Sequence, residues 1–180
     1  MTRLALFEKS VLPHLDAAYN LARWLTRNDH DAQDVVQEAF LRAFRFFDGL
    51  KDSDARPWLL AIVRNTCYTW LEKNRPADIV AIDDATTIAS DTVTIGHVSP
   101  AESNPEVIML QTANTKLLNQ ALEELPVAFR EVLVMRELED LSYKEIASIA
   151  AIPIGTVMSR LSRAREMLRH EIEIRLKKAS

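Results

Sequence analysis

Residues 141–168, LSYKEIASIAAIPIGTVMSRLSRAREML, read as a helix, a short turn and a second helix. Ser142 and Glu145 have the spacing of a capping box, in which each side chain satisfies a backbone N–H left without a partner by the first helical turn. Ile146, Ala147 and Ala150 then fall on one inward face. Pro153 and Gly155 interrupt the helical pattern, and Gly155 is expected to permit the close approach that a helix-turn-helix requires. Beyond the turn, Val157, Leu161, Ala164 and Leu168 repeat at alternate spacings of four and three, one buried stripe. Met158, Ser159, Ser162, Arg163 and Glu166 lie opposite that stripe, with Arg160, Arg165 and Arg169 on its flanks. From residue 156 to 180 there are seven Lys or Arg against three acids. Arginine forks on such a helix suit guanine edges and phosphates in a major groove. The alternative is the solvated charged face of an ordinary amphipathic helix.

The remaining sequence divides by charge. Residues 1–76 carry 11 Lys/Arg and 10 Asp/Glu, and residues 113–180 carry the same numbers. Residues 77–112 hold no Lys or Arg and six acids, Asp78, Asp83, Asp84, Asp91, Glu102 and Glu106, so the chain's net charge of −4 belongs to its middle. Rich in Thr, Ser, Ala and Asp, and without helical periodicity until about Pro105, this stretch reads as a linker between two domains. Its apolar residues at 79, 80, 82, 88, 93 and 95 leave open short strands or docking on a partner.

Both flanks read as helical. Leu12, Leu15, Ala18, Tyr19, Ala22 and Leu25 form one apolar stripe, and Asp31 is the expected N-cap of the next helix, with Asp34 in its first turn. That helix buries Val35, Val36, Ala39, Phe40, Ala43 and Phe47. A polar loop is expected from Gly49 to Pro57, then a long helix through Trp58, Leu59, Ile62, Val63, Thr66, Trp70 and Leu71, ending before Pro76. Further helices are expected over 104–125, 126–138, 142–150 and 155–177. The fold class is therefore all-α, two small helical domains (1–76 and 113–180) joined by an acidic linker (77–112).

Three glycines, Gly49, Gly96 and Gly155, are too few and too scattered for a P-loop or a dinucleotide fingerprint. One cysteine, Cys67, excludes a disulfide framework, and as a small apolar side chain it belongs in the core. His14, His30, His97 and His170 read as isolated surface residues with no metal-ligand spacing, and no nucleophile–base set is apparent. Neither a metal nor a cofactor is expected. The longest uninterrupted apolar run, Trp58–Val63, is six residues, and Glu8 interrupts the N-terminal stretch before any signal-peptide core. The chain is therefore expected in the cytoplasm, without membrane insertion.

LPVAFREVLVMRELEDLSYKEIASIAAIPIGTVMSRLSRAR (125–165) resembles conserved region 4 of bacterial sigma factors of the small extracytoplasmic-function (ECF) group. DAQDVVQEAFLRAFR (31–45) resembles region 2.2 of that family, and ARPWLLAIVRNTCYTWLEKNR (55–75) its regions 2.3 and 2.4. Both flanks match in the family's order, over about 140 of the 180 residues. The resemblance implies a transcription initiation factor that binds core RNA polymerase, reads a duplex −35 element and a single-stranded −10 element, and is held by an anti-sigma factor. It places Asp34, Gln37, Glu38, Leu41 and Arg42 against the polymerase clamp helices. It places the −10 strand on the loop Asp52, Ser53, Asp54 and Arg56, on Asn65 as base-holding amide, on Arg64, Lys73 and Arg75 at phosphates, and at Thr69, where the family often has Asp. Trp58 and Trp70 lie on the apolar stripe and read as core. The −35 duplex falls to Thr156, Met158, Ser159, Arg160, Ser162, Arg163 and Arg165; Met158 departs from the family's usual Lys or Arg and cannot donate a hydrogen bond. The same resemblance threads the acidic linker through the polymerase's RNA-exit path. A sigma-like decoy of an anti-sigma factor and an ordinary helix-turn-helix regulator are the other readings. The second leaves the 31–45 and 55–75 blocks unaccounted for. An enzyme ranks behind both.

Overall fold

The computed structural model describes residues 1–50, 54–80, 82, 84 and 105–180, with side chains from residue 112 onward in the last stretch. Asp52, Ser53, Gly96, His97 and the apolar residues at 88, 93 and 95 lie outside the described residues. Among those described, all regular structure is helical: α1 (Arg3–Val11), α2 (Leu15–Thr26), α3 (Asp29–Arg45), α4 (Ala55–Asn74), α5 (Pro105–Glu123), α6 (Val127–Leu133), α7 (Tyr143–Ala150) and α8 (Ile154–Ala179).

The sequence does not announce α1, because it buries only Phe7 and Val11. Thr2 caps it, and Phe7 sits edge-on to Phe40, Phe44 and Phe47 at centroid distances of 6.4, 5.2 and 5.4 Å. A 3₁₀ turn over Leu12–His14, begun by Pro13, separates α1 from α2. That turn rotates Leu12 and Leu15 outward, 46% and 43% exposed, so the apolar stripe expected from Leu12 begins only at Ala18.

Two expected boundaries move. The N-cap of α3 is Asn28, whose side chain accepts from the Asp31 N–H at 3.0 Å, so Asp31 occupies the third helical position instead. Asp54 caps α4, accepting from the Arg56 N–H at 3.1 Å, so Ala55–Pro57 form the first helical turn where a loop was expected. Pro57 is tolerated there because first-turn N–H groups have no intrahelical acceptor.

The buried faces of α3 (Val35, Val36, Ala39, Ala43) and α4 (Leu59, Leu60, Val63, Cys67, Leu71) pack with α2 into a three-helix core. Phe40, Phe47, Trp58, Ile62 and Trp70 line its margin, half-buried. Ile79 and Ile82 also pack on the core, whereas Val80 is exposed, and no strand occurs among the described residues.

In the second unit α8 lies across α5, α6 and α7, with Val157, Leu161, Ala164 and Leu168 buried as the periodicity requires. The capping box of α7 is formed: Ser142 Oγ accepts from the Glu145 N–H at 3.1 Å, and Glu145 Oε1 from the Ser142 N–H at 3.0 Å. Ile146, Ile149 and Ala150 are its buried residues, and Ala147 is half-buried. The left-handed residue of the turn is Ala151, φ 56°, not Gly155. A Cβ at Gly155 would meet nothing within 4 Å, so close helix approach does not explain this glycine.

Between α6 and α7 the chain makes a π turn over Val134–Leu138, in which the Glu139 N–H donates to the Val134 carbonyl five residues back at 3.1 Å.

The two units are docked. α2 packs on α6, and α4 on α7. Burial of α6 extends all round, taking in Val127, Phe129, Arg130, Glu131, Val132 and Leu133. Separate domains at the two ends of a linker do not by themselves predict this continuous core.

Candidate nucleic-acid interface

Helix α8 carries the −35 candidates. Met158 is 51% exposed on its open side, with Thr156, Ser159, Arg160, Ser162, Arg163 and Arg165 half-buried around it. Ser159 Oγ donates back to the Gly155 or Thr156 carbonyl, each at 3.2 Å. Arg163 lies over the Phe129 ring, 4.9 Å from its centroid. Arg165 turns toward the base of the helix, where it donates to Glu137 at 3.0 Å and keeps its Nε buried without an acceptor. Arg160 meets Asp84 from the acidic segment, Nε to Oδ1 and Nη2 to Oδ2, both at 3.1 Å.

Helix α4 divides the −10 candidates into two sets. Asn65, Thr69 and Lys73, four residues apart, share one exposed face. Thr69 donates to the Asn65 carbonyl at 3.0 Å, leaving the Asn65 amide for other partners than the helix. Arg75 is folded back between Asp31 (3.0 Å) and the face of Trp70 (4.8 Å). Arg56 and Arg64 point instead into the docked interface. Arg56 donates to the Glu139 carbonyl and lies 3.4 Å from its carboxylate. Arg64 sets its fork on Glu131, at 2.9 and 3.1 Å, and stacks on Tyr68 at 3.9 Å. Tyr68 adds a third hydrogen bond to Glu131 at 2.9 Å.

Glu131 is fully buried, so its charge depends on those three donors. Burial opposes the Arg64 charge, but the hydrogen bonds and the field of Glu131 outweigh it and raise the Arg64 pKa. Burial, helped by the Glu131 charge, pushes the Tyr68 hydroxyl up, and burial does the same to the Cys67 thiol. One residue away, Arg130 donates to the Trp24 carbonyl at 2.7 Å and the Leu125 carbonyl at 2.5 Å, with Leu25 and Glu123 at 3.4 and 3.3 Å. It thereby closes carbonyls at the ends of α2 and α5 that no helical N–H reaches. Burial and the neighbouring Arg27 lower its pKa to about 10.

The polymerase candidates lie elsewhere and stay open. Asp34, Gln37, Glu38 and Leu41 follow one face of α3, all exposed, with Leu41 at 66%. Arg42 is half-buried and donates to Glu38 at 2.6 Å. His30 sits 3.6 Å from Asp34, a carboxylate at helical spacing that the reading of four isolated histidines overlooked, although no three metal-binding side chains cluster among the described residues.

The family model for sigma-70 region 2 matches residues 11–76, and that for sigma-70 region 4 matches residues 115–168. The chain belongs to the ECF sigma-70 family. This sigma factor is 37% identical over 146 residues to the ECF RNA polymerase sigma-E factor of Escherichia coli K12, covering 79% of this chain and 74% of that one. It is 31% identical over 163 residues to the ECF RNA polymerase sigma factor SigE of Mycolicibacterium smegmatis, covering 91% of this chain and 60% of that relative. Among solved structures it resembles the sigma factor RpoE of Bartonella quintana, in complex with the anti-sigma factor NepR, with TM-score 0.68, 26% identity and coverage of 93% and 97%. CnrH, in complex with the cytosolic domain of CnrY, shares the fold at TM-score 0.65 and 23% identity, over 95% of this chain and 90% of that one.

Sequence reasoning missed the acids that engage this sigma factor's arginines: Glu131, Glu139 and Asp84. A signal was present for the first. In Val127–Met135 the adjacent Arg130 and Glu131 interrupt an otherwise apolar run, where charges survive only with dedicated partners.

Proposed function

We propose that this sigma factor binds core RNA polymerase and directs it to promoters. Residues 1–76 hold polymerase and the melted −10 strand, 77–112 link the units, and 113–180 read the −35 duplex. The observation that carries this reading is the arrangement of three separate polar faces on one helical body. α3 presents Asp34, Gln37, Glu38 and Leu41; α4 presents Asn65, Thr69 and Lys73; α8 presents Thr156 to Arg163. An exposed leucine rimmed by acids and an amide suits a mixed protein interface. An amide beside hydroxyl and ammonium groups suits an unstacked base and its phosphate.

The factor performs no bond chemistry; nucleotide addition belongs to the polymerase, so it acts in the cytoplasm. No described helix is long and apolar enough to cross a membrane. An anti-sigma factor is the proposed regulator, supported by the fold shared with the NepR-bound relative. It is expected to cover the polymerase-facing surfaces of both units, α3 included.

The test is run-off transcription of fragmented genomic DNA by core polymerase with and without the factor. New starts sharing two spaced upstream elements are the expected result, and Leu41→Asp is expected to abolish them together with core binding. Failure of the unaltered chain to bind core overturns the reading and leaves the decoy or the duplex-binding regulator.

A further inference from the structure

We propose that the acidic segment following α4 competes within the molecule for the −35 duplex, Asp84 taking on Arg160 the place of a DNA phosphate. The inference rests on the reading of α8 as the duplex-binding helix. The two Asp84 oxygens meet Nε and Nη2 of Arg160 in parallel at 3.1 Å, the fork geometry by which arginine also grips two phosphate oxygens. The Arg160 side chain is left 13% exposed beneath the carboxylate. Arg160 cannot hold Asp84 and a phosphate with the same two nitrogens.

The segment is guided to this position by a series of anchors. Asp78 accepts from Arg27 at 3.0 Å. Ile79 and Ile82 pack on the core, and Asp84 then reaches α8. No Lys or Arg occurs between residues 77 and 112, so the approach brings negative charge alone toward the basic helix. Arg163, one turn further along, adds its field, and the Arg160 hydrogen bond with it holds the Asp84 carboxyl below the usual carboxylate range.

The test uses the full chain, a short fluorescent duplex of mixed sequence, and Asp84→Ala, Arg160→Ala and the double variant. Asp84→Ala is expected to tighten binding about two- to fivefold at low salt, as the loss of a partly exposed ion pair allows, with the gain shrinking as salt screens it. Arg160→Ala is expected to weaken binding and to abolish the effect of Asp84→Ala, the signature of direct coupling. Hydrogen exchange at residues 79–84 is expected to quicken when duplex binds. Weakened binding in Arg160→Ala with no gain in Asp84→Ala overturns the competition but leaves the reading of α8 standing. Binding indifferent to Arg160 overturns both, and so does unchanged protection of 79–84 with duplex bound overturn the competition.

Discussion

Replacing Glu131 by alanine tests what holds the two helical units together. The carboxylate is fully buried and accepts from Arg64 Nε, Arg64 Nη2 and the Tyr68 hydroxyl. Its removal strands a guanidinium that is 16% exposed and a phenol without its acceptor. Breaking a buried pair by deleting one partner costs about 3–5 kcal/mol. Arg64 keeps its contact with the Tyr68 ring and some water, which places the change near the lower end, about 3 kcal/mol. The chain has a way to avoid that penalty without melting a helix: α4 and α7 separate, and Arg64 becomes hydrated. The variant is therefore expected to shift the docked–undocked balance toward the open form by roughly a hundredfold, since each 1.4 kcal/mol is a factor of ten. Energy transfer between dyes on Gln33→Cys and Ser148→Cys, both exposed on their helices, reads that separation. Glu131→Gln removes the charge while keeping the shape, and is expected to fall between alanine and the native residue. Unchanged transfer efficiency in Glu131→Ala refutes the reasoning. Loss of helicity accompanying the loss of transfer refutes it as well, because the penalty would then have been met by unfolding.

The other predictions concern single side chains. Cys67 is fully buried and its thiol pKa is raised by that burial, so a thiol reagent at neutral pH is expected to leave it unmodified until denaturant is added. Ser142→Ala removes half of the α7 capping box and is expected to cost about 1 kcal/mol, a Tm fall of about 2–4 °C by calorimetry. Docking of Asp84 on Arg160 is favoured while the carboxyl is ionised: it persists above the ordinary aspartate pKa of about 4 and is lost as pH falls through the lowered value. Carbon-detected titration of the Asp84 carboxyl is expected to give a midpoint below the aspartate norm that rises toward it in Arg160→Ala; coincident midpoints refute the contact.

What could be read in the sequence was what depends on neighbours three or four residues away. The stripe Val157–Leu161–Ala164–Leu168, the Ser142–Glu145 box and the burial of Val35, Val36, Ala39 and Ala43 all follow from helical period and capping chemistry. Boundaries slipped where two residues compete for one role, as Asn28 and Asp31 do for the α3 cap. The fates of Arg56, Arg64 and Arg130 were not legible at all. Their acceptors lie 83, 67 and up to 106 residues away in the chain, across an interface that no local pattern encodes. Resemblance to the family names Arg56 and Arg64 as nucleic-acid contacts, and it does not say where those side chains rest in the protein alone.

The π turn at Val134–Leu138 fits one more residue into a helical path than an α-helix would. Each residue advances a helix by about 100°, so excising any one of those five would restore regular winding and turn everything after it by about that angle. Glu137 and Glu139 would then swing away from Arg165 and Arg56, and the face of α8 would be presented in another direction. At this point of the chain residue number is an aiming device: a lineage can exchange side chains there one at a time, but a single-codon deletion re-aims the whole C-terminal half.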